Sequence, residues 1–254
     1  MTRVVRWTVL AASGLALIAG LGAAQAQGQG GAQGFALEGQ RHGRDEDFRR
    51  ADIAAVVAVE LAFARAAQEK GQWTAFAEFA TKDAVMFVPQ AANAQDWLKG
   101  RANPPQAVRW QPHQVWSSCD GSLAVTKGAW QRPDGSVGYF TTVWARQQKK
   151  KDGYRWVLDQ GDALAAPLAE PEMLEGKVAD CTRSQLAGSA EADLAAWERE
   201  ALAGGAADVG SGWSADHTLV YRYSVAPSGA REVTVLLAKD GQMQEILHSQ
   251  VAPE

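Results

Sequence analysis

The chain has 254 residues, a formal net charge of −4 and 46% hydrophobic residues. A slightly acidic balance is a poor match for nucleic acid or for an anionic membrane surface, so neither is expected as a partner. The length suits one large domain or two small ones.

The N-terminus has the three parts of a secretory signal. Arg3 and Arg6 precede an uncharged apolar stretch at residues 9–21, which the small residues of Ala24-Gln25-Ala26 follow. This pattern predicts a signal peptide over residues 1–26. A membrane anchor is the alternative, but the apolar stretch is shorter than the ~20 residues that span a bilayer. We therefore expect a secreted protein, located in the periplasm.

A long helix is predicted over residues 48–70, with Asp45 or Asp47 as its N-cap and Gly71 at its end. Its apolar residues recur near the helical period: Ile53, Val56, Val57, Leu61, Phe63, Ala64 and Ala67. A short helix with Trp73, Phe76 and Phe79, a strand at residues 84–88 and a third helix at residues 94–99 are predicted next.

Strands dominate the middle of the chain. Residues 108–118 are interrupted by Pro112, which indicates an edge strand or a bulged strand. Residues 122–132, 137–147 and 153–160 are predicted to form an antiparallel meander with Asp-Gly turns. Both faces of the strand at 137–147 are apolar or small, so we expect it to be covered on both sides. The long helix would cover one face, and the other would line a cavity, a dimer interface or the C-terminal segment.

The C-terminal region begins with a predicted helix at residues 190–202. Three short strands follow, at residues 218–225, 231–238 and 243–251. A three-stranded meander of this size is marginal alone, so we expect it to pack on the preceding domain.

Cys119 and Cys181 are the two cysteines of the chain. In an oxidising compartment an even count favours a disulfide, and the alternative is two buried thiols. A metal site needs more ligands than these cysteines and four scattered histidines readily offer, so none is expected.

Several stretches, in this order, carry a family resemblance: Lys82-Asp83-Ala84-Val85, Gly128-Ala129-Trp130, Thr142-Val143-Trp144 and Tyr154-Arg155-Trp156-Val157-Leu158-Asp159. With the preceding helices, they resemble the SnoaL-like branch of the nuclear transport factor 2-like superfamily over residues 47–163. The resemblance implies an α+β fold in which a curved antiparallel sheet, wrapped by a long helix and two short ones, forms a cone with a pocket. Dimers through the sheet face are common in such families, and members include isomerases, cyclases, dehydratases and binding domains. Fold alone therefore does not decide the function.

Together these patterns divide the chain into five segments. They are a signal peptide at 1–26, a flexible leader at 27–44, a cone domain at 45–163, a linker at 164–188 and a C-terminal helix with a β-meander at 189–254.

Asp159 and His113 are the candidate catalytic residues. Strand alternation puts Val157 and Asp159 on one side, and a pocket on that side would raise the pKa of the Asp159 carboxyl group. His113 would form an acid/base dyad with Asp159 if the strands bring the two together. The structural alternatives are a strand-end carboxylate bonded to backbone and a partly buried histidine.

Aromatic residues are the candidate ligand-binding groups: Trp116, Trp130, Tyr139, Trp144 and Trp156. Their alternative role is core packing. Asp96 is a candidate for the pocket mouth, or an ordinary solvated helix residue. The sequence lacks a Gly-x-Ser-x-Gly elbow and a phosphate loop, so no cofactor is expected.

Three functions remain open from sequence. The first is non-catalytic binding of a small apolar ligand, or self-association as a homodimer. The second is a cofactor-independent isomerase, cyclase or dehydratase with Asp159 or His113 as base. The third is an envelope protein whose C-terminal meander contacts a partner. Whether the protein is an enzyme is left undecided.

Overall fold

The computed structural model describes residues 50–147, 153–181 and 186–253, with residues 186–190 described by backbone only. The predicted signal peptide and leader lie outside these residues. The helices are α1 (Ile53–Lys70), α2 (Gln72–Phe79), α3 (Ala94–Leu98) and α4 (Leu186–Ala203). The first strands are β1 (Ala80–Phe87), β2 (Ala91–Asn93), β3 (Arg109–Ser117), β4 (Leu123–Gln131), β5 (Val137–Arg146), β6 (Tyr154–Leu164) and β7 (Glu175–Val178). The last are β8 (Asp208–Trp213), β9 (Leu219–Val225), β10 (Arg231–Lys239) and β11 (Gln242–Val251).

Helix α1 begins later than predicted. Asp52 is its N-cap, because Asp52 Oδ1 accepts a hydrogen bond of 2.9 Å from the backbone N–H of Ala55. The expected caps, Asp45 and Asp47, lie outside the described residues. The predicted end at Gly71 is confirmed. Gly71 has a φ of 100°, a conformation that glycine adopts without a steric penalty, and it separates α1 from α2.

The first sheet contains seven strands in the order β2-β1-β6-β5-β4-β3-β7. It is antiparallel except where β1 meets β6 and where β3 meets β7. The register of β3 against β4 shifts between Pro112 and Gln114, which confirms the predicted bulge. The expectation of an edge strand is wrong, because β7 pairs with the other side of β3.

Helix α1 packs on one face of this sheet, here called the cone face, and the core beneath it is aromatic. The Phe63 ring makes edge contacts with Phe76, Trp110 and Trp144, at ring-centroid distances of 4.9, 4.8 and 5.9 Å. Phe63, Trp144 and Trp156 are fully buried or nearly so. Aromatic side chains therefore fill much of the interior between helix and sheet.

A second sheet, in the order β11-β10-β9-β8, covers the opposite face of the first. Val143 and Leu158 of the first sheet share one buried cluster with residues of the second sheet, including Leu219, Tyr223 and Val235. The prediction that β5 is covered on both sides is thus confirmed, and the second cover is the C-terminal segment. The C-terminal segment is therefore stabilised by packing on the first sheet, as expected for a small meander that is marginal alone.

The C-terminal sheet has four strands where the sequence predicted three. The additional strand, β8, lies in a Gly-rich stretch and pairs with β9. A Cβ atom on Gly210 would lie 2.5 Å from the Tyr223 ring, and one on Gly212 would lie 2.6 Å from the Tyr221 ring. These glycines make room for two tyrosine rings. Because glycine has no side chain, β8 shows no alternation of apolar residues from which a strand could be predicted.

The predicted disulfide is present. Cys119, in the turn between β3 and β4, is bonded to Cys181 ahead of α4, with a Cα–Cα distance of 5.1 Å. The backbone N–H of Cys119 also donates to Thr218 Oγ1 at 2.9 Å. The same turn is therefore fixed to the C-terminal segment by a covalent bond and by a hydrogen bond. Among the described helices, none is long and apolar enough to cross a membrane.

Candidate functional site

A fully buried carboxyl group lies on the cone face of the sheet. Glu60 projects from the middle of α1 and has no exposed surface. Glu60 Oε1 accepts a hydrogen bond of 2.7 Å from Trp110 Nε1. Glu60 Oε2 accepts from Thr126 Oγ1 at 2.6 Å and from Trp144 Nε1 at 3.0 Å. Three donors from β3, β4 and β5 thus converge on one helix residue.

Burial raises the pKa of the Glu60 carboxyl group above its ordinary value. The hydrogen bonds from Thr126, Trp110 and Trp144 act in the opposite direction, because donors favour the charged form. Desolvation is the larger effect, so Glu60 holds its proton more strongly than an exposed glutamate does.

Asp159 provides a second carboxyl group on the cone face. Its Oδ2 atom accepts a hydrogen bond of 2.8 Å from Thr142 Oγ1 on the neighbouring strand. The residue is partly accessible to solvent, but its carboxyl group lies among protein atoms. This desolvation raises the pKa of Asp159 to about 7, with a further contribution from the charge of Glu60 and an opposing one from Thr142.

The orientation of Asp159 depends on a second bulge. Val143 is paired with Leu158 but Trp144 is paired with Trp156, so Val157 is the extra residue of β6. Val157 packs with the cluster beneath the second sheet, whereas Asp159 lies beside Thr142 on the cone face. The expectation that Val157 and Asp159 share one side is therefore wrong, because simple alternation does not hold across a bulge.

The expected dyad of His113 and Asp159 does not form. Asp159 is bonded to Thr142, and β4 and β5 separate β3 from β6 in the sheet. His113 is the bulged residue of β3 and is buried. Within the described residues neither ring nitrogen of His113 has a hydrogen-bond partner.

The five aromatic candidates do not surround one space. Trp144 and Trp156 are buried on the cone face, and Trp156 Nε1 donates to the Phe76 carbonyl at 3.2 Å. Trp116 belongs to the core beneath the second sheet. The remaining two candidates, Trp130 and Tyr139, form hydrogen bonds elsewhere in the structure.

Tyr139 faces the second sheet, where its hydroxyl group lies 2.5 Å from Ser249 Oγ on β11. Trp130 is partly exposed, and its Nε1 donates to the Tyr139 carbonyl at 2.9 Å. Only part of the expected aromatic set therefore faces the same interior as Asp159.

Asp96 lies outside this interior. It is an exposed residue of α3 and borders a surface groove of about 510 Å³ between α2 and α3. Trp73 and Arg101 also line the groove, and the Arg101 guanidinium lies over the Trp97 ring at 3.4 Å. The described residues contain no group of three His, Cys, Asp or Glu side chains placed to hold a metal ion.

Sequence reasoning missed Glu60, although a signal was present. Glu60 follows Val56 by four residues and precedes Phe63 by three, so it lies within the apolar stripe of α1. A carboxyl group in such a stripe must be buried, and buried carboxyl groups need hydrogen-bond donors. Tryptophan and threonine residues on the strands that face α1 were candidates for those donors.

Comparisons with known proteins found weak structural likeness only. No family model and no curated protein matches the chain. A proposed aromatic ring hydroxylase from Novosphingobium aromaticivorans matches with a TM-score of 0.33 and 16% identity, over 45% of this chain and 90% of that one.

Two further solved structures match to a similar degree. A proposed ketosteroid isomerase from Parabacteroides distasonis has a TM-score of 0.35 and 12% identity, over 46% of this chain and 96% of that one. The S. rosetta CaMKII hub has a TM-score of 0.34 and 17% identity, over 44% of this chain and 95% of that one. Likeness at this level carries no statement about function. The described architecture is an α+β cone, in which a seven-stranded sheet has helices on one face and a four-stranded sheet on the other.

Proposed function

We propose that the cone holds a small, mainly apolar molecule by a hydrogen bond to Asp159, without converting it. The observation that carries this proposal is the unused bonding capacity of the Asp159 carboxyl group. In the described chain Thr142 is its one side-chain donor, and a carboxylate has room for about four. The partial accessibility of Asp159 gives a ligand a way to reach it.

The polar groups bonded to the two carboxyl groups of the cone face favour binding over catalysis. Trp110, Trp144 and Thr126 already donate to Glu60, and Thr142 donates to Asp159. An enzyme that removes a proton next to a carbonyl group needs donors for the developing oxyanion. These four donors are committed to the two carboxyl groups, so they are not arranged to supply that stabilisation.

A matched pair of probes tests the hydrogen bond. 4-Ethylphenol donates through its hydroxyl group, whereas 4-ethylanisole has the same ring without a donor. We expect 4-ethylphenol to bind roughly tenfold more tightly at a pH above 7, because hydrogen bonds to charged groups contribute about 1.5 kcal/mol or more. The readout is the NMR signal of the Trp144 indole N–H, measured during titration of the purified protein.

Asp159→Asn should remove most of the preference for 4-ethylphenol. Asp162→Asn is the matched control, because Asp162 lies three residues further along β6 and Asp162 Oδ1 accepts from the backbone N–H of Ala163. Equal affinity for the two probes in the wild-type protein, or a preference that survives Asp159→Asn, would overturn the proposal.

Catalysis is the second candidate, and the pKa of Asp159 is the observation that favours it. A general base is most effective when its pKa lies near the working pH, and that of Asp159 is about 7. Cyclohexanone in deuterated water tests for proton removal from carbon. Exchange of its α-hydrogens above the buffer rate that disappears in Asp159→Asn would support an enzyme and contradict passive binding.

A further inference from the structure

Strand β7 is an unusual edge for a folded protein. It is the last strand of the seven-stranded sheet and pairs there with β3. All four of its residues are exposed. Natural proteins generally protect such an edge, since its unpaired backbone groups can bond to another strand.

Apolar side chains surround this edge. Met173 is 80% exposed, Leu174 is 38% exposed and Val178 is 44% exposed. They account for three of the six large apolar residues that are exposed in the described chain. They lie at both ends of β7, so half of these exposed residues flank a single strand edge.

The sequence of β7 is complementary to itself. Glu175 and Lys177 flank Gly176, so a two-fold axis at Gly176 in an antiparallel pair places Glu175 opposite the partner's Lys177. The same axis places Leu174 opposite the partner's Val178. Across the axis, each charged residue therefore faces a residue of opposite charge, and each of these apolar residues faces another apolar residue. Each of the two pairs occurs twice.

The two kinds of pair lie on different faces of the sheet. Gly176 lies on the side of α1, since a Cβ atom there would be 2.9 Å from Ile53 Cγ2. Leu174 and Val178 share that side by alternation. Glu175 and Lys177 lie on the other side, where Gln114 Nε2 donates to Glu175 Oε2 at 3.3 Å.

We propose that β7 pairs with β7 of a second copy of this chain, in an antiparallel arrangement about a two-fold axis at Gly176. Such a contact is closed, so it gives a dimer and not a fibre. It differs from a dimer through the sheet face, because the C-terminal sheet already covers the face opposite α1. Two strands of four residues make a small interface, so we expect a dimer that dissociates on dilution.

Charge reversal tests the pairing in sedimentation velocity experiments on the purified protein. Lys177→Glu and Glu175→Lys each put like charges opposite one another twice, so each should weaken dimerisation at least tenfold. The double variant Glu175→Lys/Lys177→Glu restores opposite charges across the axis and should dimerise like the wild-type protein. Lys82→Glu on β1 is the control, because Lys82 is another exposed strand lysine with an acidic neighbour, Asp83.

The outcomes are decisive in either direction. Loss of the dimer in both single variants and its return in the double variant would establish the pairing. A wild-type protein that is monomeric at the highest attainable concentration would overturn it. So would a dimer that Lys177→Glu leaves intact, or a double variant that remains monomeric while its circular dichroism spectrum matches that of the wild-type protein.

Discussion

The raised pKa of Asp159 predicts that this residue makes stability depend on pH. Its pKa moves from an ordinary value of 3.8 to about 7 on folding. A tenfold change in proton affinity corresponds to about 1.4 kcal/mol, so the difference between the two pKa values amounts to about 4 kcal/mol. The folded state holds the proton more tightly than the unfolded chain, so the free energy of unfolding falls as the pH rises from about 4 to about 7.

Asp159→Asn removes this dependence, because the amide group does not ionise and its oxygen can still accept from Thr142. The variant should match the wild-type stability near pH 4 and exceed it by up to about 4 kcal/mol near pH 8. Glu60 is present in both proteins, so its own titration largely cancels in the comparison. The measurement is urea unfolding followed by tryptophan fluorescence at several pH values across this range.

A constant difference between the two proteins across the range would refute the reasoning. It would mean that the Asp159 carboxyl group is hydrated in the folded state and not held among protein atoms. A variant less stable than the wild-type protein at pH 8 would refute it as well, because the carboxylate would then be making a favourable interaction that the structure does not contain.

Three further predictions concern stability and use the same unfolding assay. Glu60→Ala leaves the buried Trp110 N–H without its acceptor, while Thr126 Oγ1 and Trp144 Nε1 keep only Thr142 O and Thr126 Oγ1 as acceptors. With the cavity that it creates, the substitution should lower the free energy of unfolding by about 3–5 kcal/mol, and a loss under about 1 kcal/mol would contradict the buried network. Replacing Cys119 and Cys181 by alanine opens a loop of sequence separation 62 and should cost about 4 kcal/mol, whereas an unchanged urea midpoint would show that the bridge does not constrain the unfolded chain. Gly212→Ala pushes a methyl group against the Tyr221 ring and should destabilise by about 1–3 kcal/mol, and a neutral effect would contradict that close contact.

The regular elements can be predicted from sequence where hydrophobic period and turn residues agree. Helix α1 ends at Gly71 as expected, and the predicted meander matches β4 to β6 to within a few residues. The alternation within β5 also predicts its two faces correctly, since Trp144 and Val143 belong to different cores. In these elements each local preference agrees with the tertiary structure.

The site is harder to predict because it depends on irregularities. The bulges at His113 and Val157 each add one residue, and one added residue reverses the face of every side chain after it. Strand β7 is missed because it is only four residues long, and β8 is missed because its glycines hide any apolar alternation. In β8 the apolar contacts come from the rings of β9 packing over glycines.

The two carboxyl groups of the cone face differ in what they do for the fold. Glu60 accepts from Trp110, Trp144 and Thr126, so its burial is offset by the way it fixes two large rings and links α1 to three strands. Removing it would leave Trp110 Nε1 without its acceptor and would take the carboxylate from the other two donors, which explains its place in the core without any ligand.

Asp159 has no comparable structural role. Its one side-chain partner in the described chain is Thr142, whose hydroxyl group could also bond to backbone or water. A leucine or an asparagine at this position would avoid the cost of a desolvated carboxyl group. Because packing does not account for that cost, the cost supports the recognition role that we propose for Asp159, and replacing this residue should change ligand binding.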